Sequence, residues 1–286
     1  MLPQELLDII CLHLDFRTLE KTRELQSNYV KKCTEYFSVI EAVKNGNLYN
    51  LNWLKENEVT NNIDFNLLIR KSAYYDYAIK SNNLEIFKWL KTNGVVFNYN
   101  TLTAATDKGC LKIMKWLKEN GCEWGRSNFA YALKNGNLEN MKWLKENGCP
   151  WDQYTFSTAA RIGNLNNMKY LKEEGCPWDT WTFTSAAYNG NLENMKWLKE
   201  NGSPWDTCTF RAAAHKGNLE NMKWLRKEGC PWDTCTFSRA ADNGNLENMK
   251  WLKEEGCPWN KDTFAYADLN GNLDNIKWLR DNGCPV

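Results

Sequence analysis

The sequence predicts an all-α fold: a helix-turn-helix solenoid of about nine stacked units behind a small helical N-terminal segment. Three observations predict it. One leucine position recurs at Leu111, Leu138, Leu165, Leu192, Leu219, Leu246 and Leu273, always 27 residues apart, and a fixed period of this length marks a stacked-repeat architecture. Each unit carries two apolar runs at helical spacing. Each run has Asp or Asn in front and Gly behind, the residue types that start and stop helices. Looser copies at Leu48 and Leu84 stand 36 apart, so an insertion around residues 57–74 makes the first units irregular.

Residues 1–35 form a segment of their own. Leu2-Pro3-x-Glu5-Leu6, followed by Ile9, Ile10, Leu14, Leu19, Arg23 and Ser27, resembles the opening of an F-box. That resemblance implies that Leu2, Pro3, Glu5, Leu6, Ile9, Ile10 and Leu14 dock on a Skp-family adaptor of cullin-RING ubiquitin ligases. After Ser27 the chain reads NYVKKCTEYF where the family carries a Trp-rich tail. The segment also reads as an amphipathic cap shielding the apolar end of the stack, which repeat arrays require. The two readings are compatible.

Residues 36–286 form the solenoid. In the first helix of one unit Phe156, Ala159 and Ala160 stand at i, i+3 and i+4, placing one large and two small apolar groups on a single face that packs closely. Asp152 is placed to accept from the free N–H groups at the start of this helix, and Gly163 to end it with a left-handed backbone. After a two-residue turn, Asn164 caps a second helix. Its Leu165, Met168 and Leu171 line one stripe, while Lys169, Lys172 and Glu173 face outward and Gly175 stops it. Helices of about ten residues are marginal alone, so stacking must supply the stability.

Phe156, Ala159, Ala160, Gly163, Leu165, Met168, Leu171, Gly175, Trp178 and Asp179 fall on the structural positions of the ankyrin repeat. The resemblance covers about residues 37–286 and implies a stack whose first helices line a concave, partner-binding surface. The unit is about six residues shorter than the 33-residue ankyrin unit, so the β-hairpin finger is missing. Pro-Trp at 150, 177, 204, 231 and 258 occupies the shortened link. There Pro stops the helix, and Trp either covers apolar surface that a hairpin would shelter or forms an exposed ladder. A second ladder, Trp143, Tyr170, Trp197, Trp224, Trp251 and Trp278, reads as core or half-buried packing. An F-box-like start joined to Trp-rich 27-residue repeats resembles expanded families of large DNA viruses of protists. By that resemblance the protein acts in the cytoplasm of an infected host cell.

Composition bounds the function. The formal charge is +1, from 36 Lys and Arg against 35 Asp and Glu, so no net field draws the molecule to nucleic acid or to an anionic membrane. On the second helices Lys142, Lys169, Lys196, Lys223, Lys250 and Lys277 face Glu139, Asn166, Glu193, Glu220, Glu247 and Asp274 at i, i+3. This is a solvated face whose acids cancel a basic rail. Neither nucleic acid nor membrane is an expected partner: no apolar run approaches the roughly 20 residues of a membrane span. The start, MLPQELLDIICLHLD, has acids within its apolar stretch and no basic leader, which predicts an unprocessed cytoplasmic protein.

The 11 cysteines, with no secretory signal, read as reduced thiols. Cys122, Cys149, Cys176, Cys230, Cys257 and Cys284 recur at the repeat period, with Ser203 in the same register, as small buried side chains. The only histidines, His13 and His215, lie far apart, and no C-x-x-C spacing is present, so neither a metal nor a cofactor is expected. Without a G-x-S-x-G, P-loop or H-E-x-x-H motif, no nucleophile and base are set to meet, and an enzyme is not expected.

The expected partner is a protein, and the repeats show where it binds. Counting from the glycine that ends the first helix, positions −6, −5 and −2 lie off the Phe-Ala-Ala face and are expected to face solvent together. At −2 the six regular units carry Lys134, Arg161, Tyr188, His215, Asp242 and Leu269, all different on a copied frame. Position −5 carries Tyr131, Thr158, Ser185, Ala212, Arg239 and Tyr266, and Arg211 stands at −6. The aromatic and arginine members have the profile of contact hot spots. The candidate stripe is therefore Tyr131, Lys134, Arg161, Tyr188, Arg211, His215, Arg239, Asp242, Tyr266 and Leu269. Free drift of solvent-facing residues is the alternative explanation of the variety.

Overall fold

A computed structural model of the chain describes residues 39–56, 73–125 and 127–285. The F-box-like residues Leu2, Pro3, Glu5, Leu6, Ile9, Ile10 and Leu14, the division at residue 35, and most of the 57–74 insertion lie outside the described residues. Among the described residues there are 18 helices and no strand, arranged as nine helix pairs. This is the all-α helical-repeat solenoid expected from the sequence. The chain divides into two compact units, Met1–Asn128 and Phe129–Val286.

The first unit holds α1 (Val39–Lys44), α2 (Leu48–Glu56), α3 (Ala73–Ser81), α4 (Leu84–Thr92), α5 (Tyr99–Asp107) and α6 (Leu111–Glu119). Its core is built from Ala42, Leu51, Ile79, Ile86, Phe87, Leu102, Ile113 and Met114, all buried. Asn83 caps α4 through Glu85 N at 3.0 Å, and its amide donates to the Gly46 carbonyl at 3.2 Å, joining two consecutive turns.

The second unit repeats one pattern six times: α7 (Asn128–Asn135, entering at the unit boundary) with α8 (Leu138–Glu146), α9 (Gln153–Ile162) with α10 (Leu165–Glu173), α11 (Thr180–Asn189) with α12 (Leu192–Glu200), α13 (Thr207–Lys216) with α14 (Leu219–Lys227), α15 (Thr234–Asn243) with α16 (Leu246–Glu254), and α17 (Lys261–Asn270) with α18 (Leu273–Asp281). The local signals act as expected. Asp152 accepts from Thr155 N at 3.1 Å, and the Thr155 hydroxyl accepts from Asp152 N at 3.2 Å, a reciprocal cap. Gly163 ends α9 at φ 84°, where a Cβ would also meet the Asn189 amide at 2.6 Å. Asn164 caps α10 through Asn166 N and Asn167 N. The Cys176 N–H reaches back to the Leu171 carbonyl at 2.8 Å, closing the left-handed stop at Gly175.

Phe156, Ala159, Ala160, Met168 and Leu171 are fully buried, and so are their counterparts in the repeats at 183, 210 and 237. The alanines let consecutive first helices approach closely, whereas consecutive second helices stand further apart. Within this unit the stack therefore bends toward the first-helix side. One expectation is corrected. The leucine that opens each second helix only borders the core: Leu165, Leu192, Leu219 and Leu246 are half-buried, while Leu138 is 41% exposed and Leu273 78% exposed. Its place is taken by an asparagine two residues on, because an amide is needed there. Asn194, Asn221 and Asn248 each donate Nδ2 at 2.8 Å to the carbonyl of Gly163, Gly190 and Gly217, the glycine ending the first helix of the preceding unit. Asn275 does the same to Gly244 at 2.7 Å. These carbonyls are partly buried, so losing the donor would cost about 1 kcal/mol each.

The link tryptophans pack. Trp151, Trp178, Trp205, Trp232 and Trp259 are half-buried, with ring centroids 5.0–5.3 Å from Phe129, Phe156, Phe183, Phe210 and Phe237 respectively. Trp178 meets Trp197 edge-on at 6.3 Å, joining the two aromatic ladders. Its outer face is covered by Lys172, whose ammonium stands 3.6 Å from the ring centroid. Lysine or arginine covers the other four link tryptophans in the same way. The exposed-ladder alternative is thereby set aside for these rings.

Candidate functional site

The variable stripe lies on the first helices of the second unit, and two amide rails set its spacing. One is the buried asparagine rail described above. The other is formed by Asn189, Asn243 and Asn270, which donate to the carbonyls of Arg161, His215 and Asp242 at 3.1, 3.0 and 2.9 Å. Three of the −2 residues are thus held by their own backbone to the next repeat.

On that frame the side chains form a continuous ladder. The Arg161 guanidinium lies 4.7 Å from the Tyr188 ring centroid. Tyr188 stacks on His215 at 5.7 Å and 20°. His215 Nδ1 is 3.2 Å from Asp242 Oδ2, and the same oxygen takes Arg239 at 3.4 Å. Arg239 in turn lies 5.2 Å from the Tyr266 ring centroid. The structure therefore brings together Arg161, Tyr188, His215, Arg239, Asp242 and Tyr266 from five consecutive repeats. Tyr131 and Lys134 are exposed on α7 at one end of the unit, and Leu269 is 80% exposed on α17 at the other.

Two parts of the expected stripe are corrected. Position −6 turns toward the next first helix where one follows, and is half-buried or buried there. Ser157 and Ser238 are buried, and the Ser238 hydroxyl lies 3.3 Å from that of Thr263. Arg211, at the same position, reaches across to Asp233, the N-cap of α15, with Nε at 3.0 Å from Oδ1 and a second contact to Oδ2. This paired hydrogen bond holds the Asp233 carboxyl below its ordinary range and pushes the Arg211 guanidinium up. Arg211 is thus a bridge between repeats. At −5, Ala212 is buried, so its repeat offers no side chain there.

The sequence reading also missed two residues. Tyr154 and Trp181 stand nine positions before their glycines, 66% and 62% exposed on the first turns of α9 and α11. The signal was available: −9, −5 and −2 share one helical stripe. Tyr154, Trp181 and Arg161 line an open groove of about 620 Å³ across α9 and α11, with Ser157 and Ser185 among its other walls. A second groove of about 370 Å³ lies on the far side of Trp181, toward Tyr188, Arg211 and His215.

The remaining candidate chemistry is quiet. Cys176, Cys230 and Cys257 are buried, and burial pushes each thiol up to about 12. Their Sγ atoms donate to the carbonyls of Asp152, Asp206 and Asp233 at 3.5–3.7 Å, so they are packing and capping groups. Among the described residues no group of three or more His, Cys, Asp or Glu is placed to hold a metal ion, and no helix is long and apolar enough to cross a membrane.

No family model and no curated protein matches this chain. Solved structures do. The crystal structure of the pentatricopeptide repeat protein PPR10 from maize aligns over 99% of this chain and 52% of its own, at 13% identity and TM-score 0.42. PPR10 in complex with an 18-nt psaJ RNA element, as itself and as a triple Cys-to-Ser variant, aligns over 99% of this chain and 57% of its own, at 13% identity and TM-score 0.30. The chain thus spans about half the length of the solved structures it matches. The RNA-bound structures overturn the expectation that nucleic acid is excluded as a partner. That expectation came from the balanced charge of the whole chain and of the second-helix face, and it took no account of solvent-facing rings such as Tyr154 and Trp181 on the opposite face.

Proposed function

We propose that this chain is an ankyrin-like binding scaffold that holds a protein partner on the first-helix face of its second unit, and that its F-box-like N-terminus couples the partner to a cullin-RING ubiquitin ligase. The observation that carries the binding reading is the ladder from Arg161 through Tyr188 and His215 to Asp242. Its side chains differ from repeat to repeat, while asparagine amides fix their backbones at regular intervals. Regular spacing with variable chemistry is how repeat proteins present an extended recognition surface. The ladder is rich in Tyr and Arg, the residue types of interface hot spots. Its charges partly neutralise one another, since Asp242 takes Arg239, which favours a protein partner. The grooves are open, a shape suited to a chain lying across them, so we read a scaffold rather than an enzyme.

Ligase coupling rests on Leu2-Pro3-x-Glu5-Leu6 and the apolar residues that follow. By the viral resemblance the site of action is the host cytoplasm. The departure from the F-box pattern after Ser27 favours a second reading, a sequestering scaffold without ligase recruitment. A pull-down of the full chain with a Skp-family adaptor separates them. Binding that is lost in the double variant Pro3→Ala, Leu6→Ala supports the receptor, and binding unchanged by it, or absent from the intact chain, leaves the sequestering scaffold.

A further inference from the structure

Within the first-helix face, one stretch is built differently from the rest. Tyr154 and Trp181 occupy equivalent places in adjacent repeats, and both rings stand mostly in solvent. The link tryptophans, by contrast, have Phe behind them and Lys or Arg in front. Exposed large aromatics on a rigid frame are apolar platforms. Trp181 lines the groove it shares with Tyr154 and also the next groove, so it divides two adjacent recesses.

The charge on this stretch is equally specific. Arg211 is engaged by Asp233, and Arg239 by Asp242. Arg161 lies over Tyr188 with no carboxylate within ion-pair distance among the described residues. Asp152 and Asp179, on the walls of the first groove, are occupied in capping α9 and α11. The groove therefore carries one cation that lacks an anionic partner, beside two carboxylates that disfavour a run of phosphates.

The spacing selects the backbone of the occupant. Packed helices lie about 8–10 Å apart. A polyproline II chain has a three-residue turn that rises about 9 Å, so its residues i and i+3 advance by one repeat per turn. The rings flanking each recess suit the flat pyrrolidine face of proline, and such a segment loses little conformational entropy on binding.

We propose that the grooves on either side of Trp181 bind an extended polyproline II segment of a partner protein, with prolines at i and i+3 in successive grooves and an acidic side chain opposite Arg161. This rests on the reading of the first-helix face as the partner-binding surface. It adds the chemistry of the ligand.

The test is selection of a phage-displayed library of random dodecapeptides on the full chain, followed by fluorescence anisotropy of the enriched peptides against variants. Expected are peptides with proline at i and i+3 and an Asp or Glu nearby. Their affinity falls at least about tenfold in Trp181→Ala and Tyr154→Ala, falls in Arg161→Ala, and is unchanged in the second-helix variant Lys196→Ala. Enriched peptides of another pattern that still respond to Trp181→Ala overturn the polyproline proposal and leave the binding face standing. Peptides indifferent to all first-helix variants overturn both, and an unenriched library overturns the proposal. A labelled oligouridine 12-mer that binds in a Trp181-dependent way, while no proline-patterned peptide does, overturns it in favour of single-stranded RNA. Because Tyr154 and Trp181 are exposed, circular dichroism of their variants is expected to match the parent.

Discussion

The Asn194 side chain donates its Nδ2 hydrogen to the Gly163 carbonyl at 2.8 Å, across 31 residues of sequence. The bond joins the second helix of one repeat to the end of the first helix of the previous one. Because it recurs at Asn221, Asn248 and Asn275, it is a register device: a repeat that slipped against its neighbour would strand both partners. Asn194→Ala is expected to lower stability by about 1 kcal/mol, because the partly buried Gly163 carbonyl loses its donor. Chemical denaturation of parent and variant checks this, and a midpoint shift indistinguishable from that of an exposed Asn166→Ala control counts against it.

Trp178 supplies a second, apolar contact between repeats. It is packed on Phe156, edge-on to Trp197 and covered by Lys172. Trp178→Ala is expected to cost about 2–3 kcal/mol, somewhat below the figure for a fully buried ring because one edge remains wet. Lys172→Ala should cost under about 1 kcal/mol, since it removes only an exposed cation over a ring. Melting temperatures measured by differential scanning calorimetry separate the two. If Trp178→Ala melts with the parent, the packing role fails.

Much of this was legible in the sequence because it is local. Asp152, Gly163, Asn164 and Gly175 start and stop helices through groups within a few residues, and Phe156, Ala159 and Ala160 share a face by helical period alone. What was not legible depends on a neighbour 22–34 residues away, at distances set by stacking. Hydropathy marks Leu165 as core and Asn167 as surface. The structure buries Asn167, because a helix-end carbonyl from the preceding repeat needs a donor. Arg211 looked like a solvent-facing hot spot because nothing in its own helix shows that Asp233 waits in the next repeat. All six residues of the ladder were readable as variable chemistry on a fixed frame. Its continuity, from Arg161 through Tyr188 to His215, appears only when repeats are set side by side.

The ladder predicts a surface-specific loss of binding. Tyr188→Ala is expected to weaken the partner captured by proximity labelling at least about tenfold, with Arg161→Ala and Arg239→Ala each weakening it less, and helicity is expected to stay unchanged. Replacing Lys169, Lys196 and Lys223 on the second helices with Glu should leave binding intact. Surface plasmon resonance with the recovered partner reads both sets, and the reverse pattern places the site on the second-helix face.

The Arg211–Asp233 bridge predicts acid sensitivity with a definite sign. The Asp233 carboxyl is held below its ordinary value chiefly by its hydrogen bonds to Arg211, so its contribution to stability is fully present above the unfolded carboxyl pKa of about 4 and is lost as pH falls through the lower folded value. Arg211→Met removes that contribution and leaves the cap of α15 in place. The melting temperatures of parent and variant should therefore differ most above about pH 4 and converge as the pH falls below it. A constant difference across that window would show that the arginine acts through packing alone.

The cysteines predict a pattern of thiol reactivity. Cys235 is exposed on the first turn of α15, whereas Cys176, Cys230 and Cys257 are buried, with their thiols pushed up to about 12 by desolvation. The thiolate is the reactive form, so at pH 8 the buried set should stay silent in the native chain and react only on unfolding. Cys235→Ser should remove one rapidly titrating thiol from the native count with the aromatic disulfide reagent DTNB. Cys257→Ser should remove none from that count while lowering the denatured count by one. Equal loss from the native count in both variants would mean that the links between repeats open readily, and would undercut the packed role assigned to the Pro-Trp segments.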